Sequence, residues 1–146
     1  MASILTQLEE SDLKLVKNKI DKLPVTPRPE TGCQEVIVKG TKRDGSYLQS
    51  IKKSYPIIRV TRKKQAKTDK TVSACLPIHV VLYYIHYKRV TRREANEDIS
   101  HLCGRRNCIN INHITIEPHQ VNCSRRSCHR FCKGHEGFPA CIRVSF

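Results

Sequence analysis

Leu13, Val16, Ile20 and Leu23 recur at intervals of three and four residues, the spacing that places apolar side chains on one face of a helix. Ser11 precedes the run as a candidate N-cap and Pro24 closes it, so the pattern predicts an amphipathic helix docked on the rest of the chain. Pro24, Pro27, Pro29 and Gly32 follow closely and read as a linker. Beyond Glu35 the apolar runs shorten to 36–38, 47–51 and 57–61, separated by Lys42-Arg43-Asp44-Gly45 and Ser54-Tyr55-Pro56. Short runs between turn signals predict a twisted antiparallel sheet. Residues 77–87 are apolar on several sides behind Pro77, which predicts a largely buried helix. Ile99 and Leu102 then mark a strand end, 114–116 a returning strand, and Glu117-Pro118 the entrance of a helix carrying Asn122. In such a strand, loop, strand, helix unit His101 and Asn122 could face one small cavity. The fold class expected is α+β: a helix and linker over 1–32, then a small mixed domain over 33–146.

Composition adds two constraints. With 146 residues, 5% aromatics and no Trp, a single hydrophobic core would be thin, and cross-links or bound metal are expected to support it. The formal net charge of +14 points to a polyanion, with nucleic acid favoured over a membrane surface because no basic amphipathic face accompanies the charge. The polar positions of the predicted sheet are mostly basic. Lys52, Lys53, Arg59, Arg62, Lys63, Lys64, Lys67 and Lys70 fall within nineteen residues and would give one charged sheet face, although a solvated loop over 62–70 would account for several of them equally well. The longest apolar region, 80–85, is far below the roughly 18 residues of a membrane span. The first ten residues lack the charged and apolar regions of a secretory signal. Both features predict a reducing intracellular compartment such as the nucleus, where clustered cysteines serve as metal ligands more often than as disulfides.

From Cys103 to Cys141 there are six cysteines and four histidines. Cys103, Cys108 and His113 stand at five-residue intervals, so a loop can fold back and offer two thiolates and an imidazole to a tetrahedral zinc ion. The fourth ligand must come from Cys33 or Cys75. Cys33, in a Gly-containing turn, is favoured, while Cys75, at the head of an apolar helix, reads as a buried thiol. A second zinc set is Cys128, Cys132, His135 and Cys141, with Cys123 and His129 left over as possible substitutes. Four protein ligands close each site, which makes both structural rather than catalytic.

Ser100-His101-Leu102-Cys103, Cys108, Asn112-His113, Glu117, Asn122, Arg125 and Cys128 together resemble the His-Cys box of homing endonucleases, a branch of the ββα-metal or His-Me finger nucleases. The resemblance covers about the last 45 residues well, and Cys33 and the basic sheet more loosely. It implies a zinc-stabilised ββα-metal motif that hydrolyses DNA phosphodiesters. His101 would be the general base and Asn122 the one protein ligand of a catalytic Mg²⁺ ion. Arg59 or Arg62 would supply a cation near the scissile phosphate, Arg105 and Arg106 would clamp phosphates, and Arg125 would brace the site or a neighbouring phosphate. The physical chemistry suits these roles, because imidazole titrates near neutrality and Mg²⁺ takes oxygen ligands while keeping several waters.

The resemblance has two departures. Only five residues follow Cys141, so dimerisation by a long swapped C-terminal tail is not expected, and a monomeric nickase or a dimer through the helix at 13–23 stays open. Ile109-Asn110-Ile111-Asn112 replaces the Asn-Pro pair of relatives and is expected to alter the loop only slightly. The other readings of the chain are a zinc-stabilised DNA-binding module without catalysis and, against the weight of the charge, a scaffold for protein partners.

Overall fold

The computed structural model describes residues 2–37, 55–63, 67, 70–128 and 132–142. Among these residues the fold is α+β, with three helices and three two-stranded antiparallel sheets. A 3-10 turn over Ala2–Gln7 leads into helix α1, Glu10–Asp21. Leu13, Val16 and Ile20 are buried along its inner face, as their spacing requires. The helix begins earlier than Ser11 suggested. Glu9 is the N-cap, and its backbone N–H donates to Asp12 Oδ2 at 3.1 Å. Asp12 is itself buried, and its other oxygen accepts from the Lys63 backbone N–H at 3.1 Å. A carboxylate that reaches two backbone donors, one of them far along the chain, outcompetes the hydroxyl of Ser11, which lies inside the helix.

The Pro-rich stretch read as a linker is instead structured. Strand β1, Val25–Arg28, pairs with β2, Cys33–Val36, and places Arg28 opposite Cys33. The proline ring at position 27 is tolerated because a strand in a two-stranded ribbon needs ladder donors along one edge only. The turn between the strands ends at Gly32, whose φ of +80° suits glycine.

Strand β3, Ile57–Arg62, pairs with β4, Val72–Pro77, with Arg59 opposite Cys75. Residue 36 therefore belongs to the first ribbon and 57–61 to the second, rather than to one common sheet. The run at 47–51, together with Val38, Lys52, Lys53, Lys64 and His129, lies outside the described residues. Helix α2, Ile78–Tyr87, follows β4 directly with Pro77 as its N-cap and ends at Lys88 in the left-handed region. Ile4, Leu5, Val16, Ile20, Val60, Leu76, Ile78, Val81 and Leu82 form the main core. The N-terminal arm thus packs into the same core as β3, β4 and α2.

Strand β5, Glu97–His101, pairs with β6, Ile114–Pro118, so that His101 faces Ile114 and Asp98 faces Glu117. A loop of twelve residues joins them and ends in a 3-10 turn, Ile111–His113. Helix α3, His119–Arg125, leaves β6 at Pro118. Among the described residues, no helix is long and apolar enough to cross a membrane.

Candidate nuclease site and metal clusters

The β5–β6 loop and the β1–β2 ribbon meet edge to edge. Val36 N–H donates to Asn107 O at 2.8 Å and Ile109 N–H to Gln34 O at 2.8 Å. This pairing carries Cys33 to the loop. Cys33, Cys103, Cys108 and His113 are all buried, and their ligand atoms lie within 4.8 Å of one another. His113 Nδ1 is 3.5 Å from Cys33 Sγ and 3.6 Å from Cys108 Sγ. The fourth position at this cluster is occupied by Cys33. Cys75, expected as a buried thiol, is exposed on β4 because its strand turns that position outward.

Asn110, which sequence reasoning passed over as part of a harmless departure, fixes this corner. Its side-chain oxygen accepts from Asn112 N–H at 3.0 Å and its amide donates to Gly32 O at 2.7 Å. It thereby ties the ribbon turn to the 3-10 turn that presents His113. A Cβ at Gly32 would stand 3.6 Å from His113 Nε2, beside that ligand.

The thiols of this cluster influence each other. The hydrogen bond between Cys103 and Cys108 pushes Cys103 far up and draws Cys108 down, while burial raises Cys33. Crowded thiols share protons in this way because several thiolates in one buried space repel, and a dication relieves that repulsion. Three sulfurs and one imidazole nitrogen form the donor set zinc prefers.

Cys128, Cys132, His135 and Cys141 form a second, half-buried group with ligand atoms within 4.8 Å of one another. His135 Nε2 is 3.3 Å from Cys128 Sγ and 3.4 Å from Cys141 Sγ. Its Nδ1 reaches Ser124 Oγ at 3.2 Å, and that hydroxyl donates to Val121 O at 2.6 Å. The hydroxyl's lone pair is then the acceptor for Nδ1–H, which leaves the Nε2 lone pair aimed at the sulfurs. Backbone N–H groups of Gly134 and Cys141 both donate to Cys132 Sγ at 3.4 Å, and these two bonds draw its thiol down to about 7. Cys123 lies apart on α3, with its sulfur 3.3 Å from His119 Nε2.

A pocket of about 240 Å³ is lined by Tyr55, His101, Asn122, Arg106, Arg125 and Arg126, among others. His101 ends β5, and its Nε2 is 3.1 Å from Cys108 O. The carbonyl can only accept, so Nε2 carries the hydrogen and Nδ1 keeps the lone pair. Burial lowers the imidazole below its ordinary range, and the Cys108 carbonyl opposes the shift. The ring is held in a stack: His79 lies 4.6 Å away, and Tyr55 lies 5.7 Å away at an interplanar angle of 13°. Neither neighbour carried a sequence signal, since His79 falls within an apolar helix and Tyr55 within a turn. Asn122, half-buried on α3, donates from Nδ2 to Asp98 Oδ2 at 2.8 Å.

The arginines separate by environment. Arg125 is only 4% exposed. Its Nε and Nη2 bond Glu117 Oε1 and Oε2 at 2.7 and 2.6 Å, and its Nη1 donates to Cys141 Sγ at 3.4 Å. The guanidinium therefore holds α3 to β6 and to the second cluster at the wall of the pocket that also contains His101 and Asn122. Arg105 pairs with Glu35 at 3.6 Å while staying half-exposed, and Arg106 lies 5.6 Å from the Tyr55 ring centroid. Arg59 donates to Ser73 Oγ at 3.4 Å and Arg62 to Gln7 Oε1 at 3.3 Å. Neither lines the pocket among the described residues, where Arg106 and the exposed Arg126 are the outward cations. Lys63, next to Arg62, is exposed.

Residues 43–143 match the family described as the zinc-binding loop region of homing endonucleases. The chain belongs to that family. No curated protein and no solved structure is significantly similar to it. Membership in the zinc-binding loop family agrees with the two Cys/His groups, either of which could hold zinc, and makes the chain a nuclease-related zinc module. It also implies contact with DNA.

Proposed function

We propose that this chain is a Mg²⁺-dependent endonuclease acting on double-stranded DNA, with His101 as general base and Asn122 as the one protein ligand of the ion. The observation that carries this reading is a single polar pocket lined by both side chains, with the His101 ring fixed by the carbonyl of Cys108. In this reading, each Cys/His group holds one structural zinc ion. That requires reduced cysteines and hence a reducing compartment, the nucleus included.

The donor set suits a hard cation. Asn122 turns its Nδ2 to Asp98, which leaves Oδ1 as the ligating end, and one amide oxygen with phosphate and water oxygens is a reasonable Mg²⁺ shell. When bound, the ion neutralises the charge that develops on the phosphate and on the leaving 3′ oxygen. The chain's own residues do the rest. His101 Nδ1 accepts the proton of a water whose oxygen forms the new bond to phosphorus as the bond to the 3′ oxygen breaks. The Cys108 carbonyl shares charge with the imidazolium and keeps the ring in one tautomer. Tyr55 and His79 keep its plane from rotating. Arg106 and Arg126, rather than Arg59 or Arg62, supply positive charge at the pocket, while Arg59, Arg62, Lys63 and Arg105 hold flanking phosphates.

Nicking of supercoiled plasmid tests the reading. Wild type with Mg²⁺ converts the plasmid, and His101→Ala and Asn122→Ala each lose roughly 10²-fold or more, as loss of general-base catalysis predicts. All three bind DNA with the same salt dependence. Equal binding without nicking by wild type would instead support a DNA-binding module.

A further inference from the structure

Asp98 carried no signal in the sequence, yet it holds two side chains of α3, the exposed His119 and the half-buried Asn122. Its Oδ2 accepts from His119 Nδ1 at 2.7 Å and from Asn122 Nδ2 at 2.8 Å. Directly across the ribbon stands Glu117, which grips the same helix through Arg125. Two acids facing each other on neighbouring strands repel. Here each is offset by donors from α3, so the helix is clamped at His119 and Asn122 by one carboxylate and at Arg125 by the other.

We propose that Asp98 is a positioning residue for the cation site: its carboxylate dictates which end of the Asn122 amide faces the pocket. This inference rests on the reading of Asn122 as a metal ligand. A primary amide has an oxygen that can ligate Mg²⁺ and a nitrogen that cannot. Rotation by half a turn about the last side-chain bond exchanges the two at almost no steric cost. A carboxylate only accepts hydrogen bonds, so Asp98 admits the nitrogen and excludes the oxygen. Because Asp98 lies three residues before His101 on β5, the same short strand sets the orientation of the amide and ends in the base. The charge of Asp98 also strengthens the amide dipole toward the cation.

Manganese serves as the probe. Full-length, zinc-loaded protein is saturated with a short DNA duplex and titrated with Mn²⁺, and free Mn²⁺ is read by its electron paramagnetic resonance signal. Zinc content and duplex affinity are measured alongside. Asn122→Ala sets the background of ions held by DNA alone. Asp98→Ala is expected to weaken the protein-dependent Mn²⁺ binding about tenfold, at the lower end of the ~10–100-fold cost of losing an outer-shell partner. Asp98→Asn, which keeps the shape but can present either amide end, is expected to weaken it by less, and it carries the test if the alanine variant loses zinc. Wild-type Mn²⁺ affinity in Asp98→Asn and in a zinc-loaded Asp98→Ala, with the loss confined to Asn122→Ala, overturns the role of Asp98. Wild-type binding in Asn122→Ala overturns the metal reading of the pocket itself, and the inference with it.

Discussion

Arg125 and Glu117 form a two-pronged ion pair of 2.7 and 2.6 Å in which Glu117 is 1% exposed and Arg125 4%. Planar guanidinium and carboxylate satisfy each other's hydrogen bonds, and the remaining Nη1 turns to a cysteine of the second cluster. The pair therefore joins β6, α3 and that cluster at one point.

Removing one partner leaves the other charge buried and unmatched. Glu117→Ala is expected to cost about 3–5 kcal/mol, the range for breaking a buried pair. Urea unfolding of the zinc-loaded protein would show it as a lower midpoint. Arg125→Ala should act likewise, since its guanidinium is turned inward. A midpoint unchanged in both variants would mean that the pair is not formed in solution.

The metal clusters make a counting prediction. Native mass spectrometry should find two zinc ions per chain in wild type, one in Cys33→Ser or Cys141→Ser, and two in Cys75→Ser and Cys123→Ser. Chelation should melt the fold, because closed Cys/His sites supply folding energy to a small core. Two ions retained by Cys33→Ser would remove that residue from the ligand set.

His79 predicts an acid sensitivity. Its ring is buried in helix α2 behind His101, its Nδ1 has no hydrogen-bond partner among the described residues, and burial, followed by the neighbouring His101, lowers it to about 3 from 6.5. Between those values the unfolded chain binds the proton and the folded chain does not. Stability contributed by neutral His79 is thus complete above pH 6.5 and declines as pH falls toward 3. His79→Phe keeps a ring in the stack without the titration. Its unfolding midpoint should fall less than that of wild type between neutral pH and about pH 5.5, and parallel curves would refute the argument.

For the exposed arginines the test is salt. Withdrawing one cation from the DNA backbone lowers the slope of log affinity against log salt by about 0.9. Arg126→Ala and Arg106→Ala should each show this with the fold intact. Unchanged slopes in both would move the DNA path away from the pocket mouth.

Much of the site was legible in the chain itself. The spacing of Cys103, Cys108 and His113, the Gly-punctuated run from Cys132 to Cys141, and a spare His101 preceding them are local patterns, and local chain geometry brings such residues together. Helices α1 and α2 were legible for the same reason, since periodicity reports a buried face without reference to the partner that covers it. The strands were harder. Two residues of β1 precede prolines and all of it looked like a linker, while β4 ran into the apolar pattern of α2 with no turn signal between them.

By itself, then, the sequence determined the chemistry on offer: which side chains could ligate zinc, which imidazole was left over, and that the surface would carry strong positive charge. Only tertiary structure decided which of these groups share a space. Cys33 joins ligands 70 to 80 residues away because the ribbon edge pairs with the β5–β6 loop. Arg125 faces inward because Glu117 is buried beneath it, and Asp98 acquires its role from a helix packed across its strand. Such relationships arise from burial and from hydrogen bonds between distant segments, and neither leaves a periodic mark on the chain.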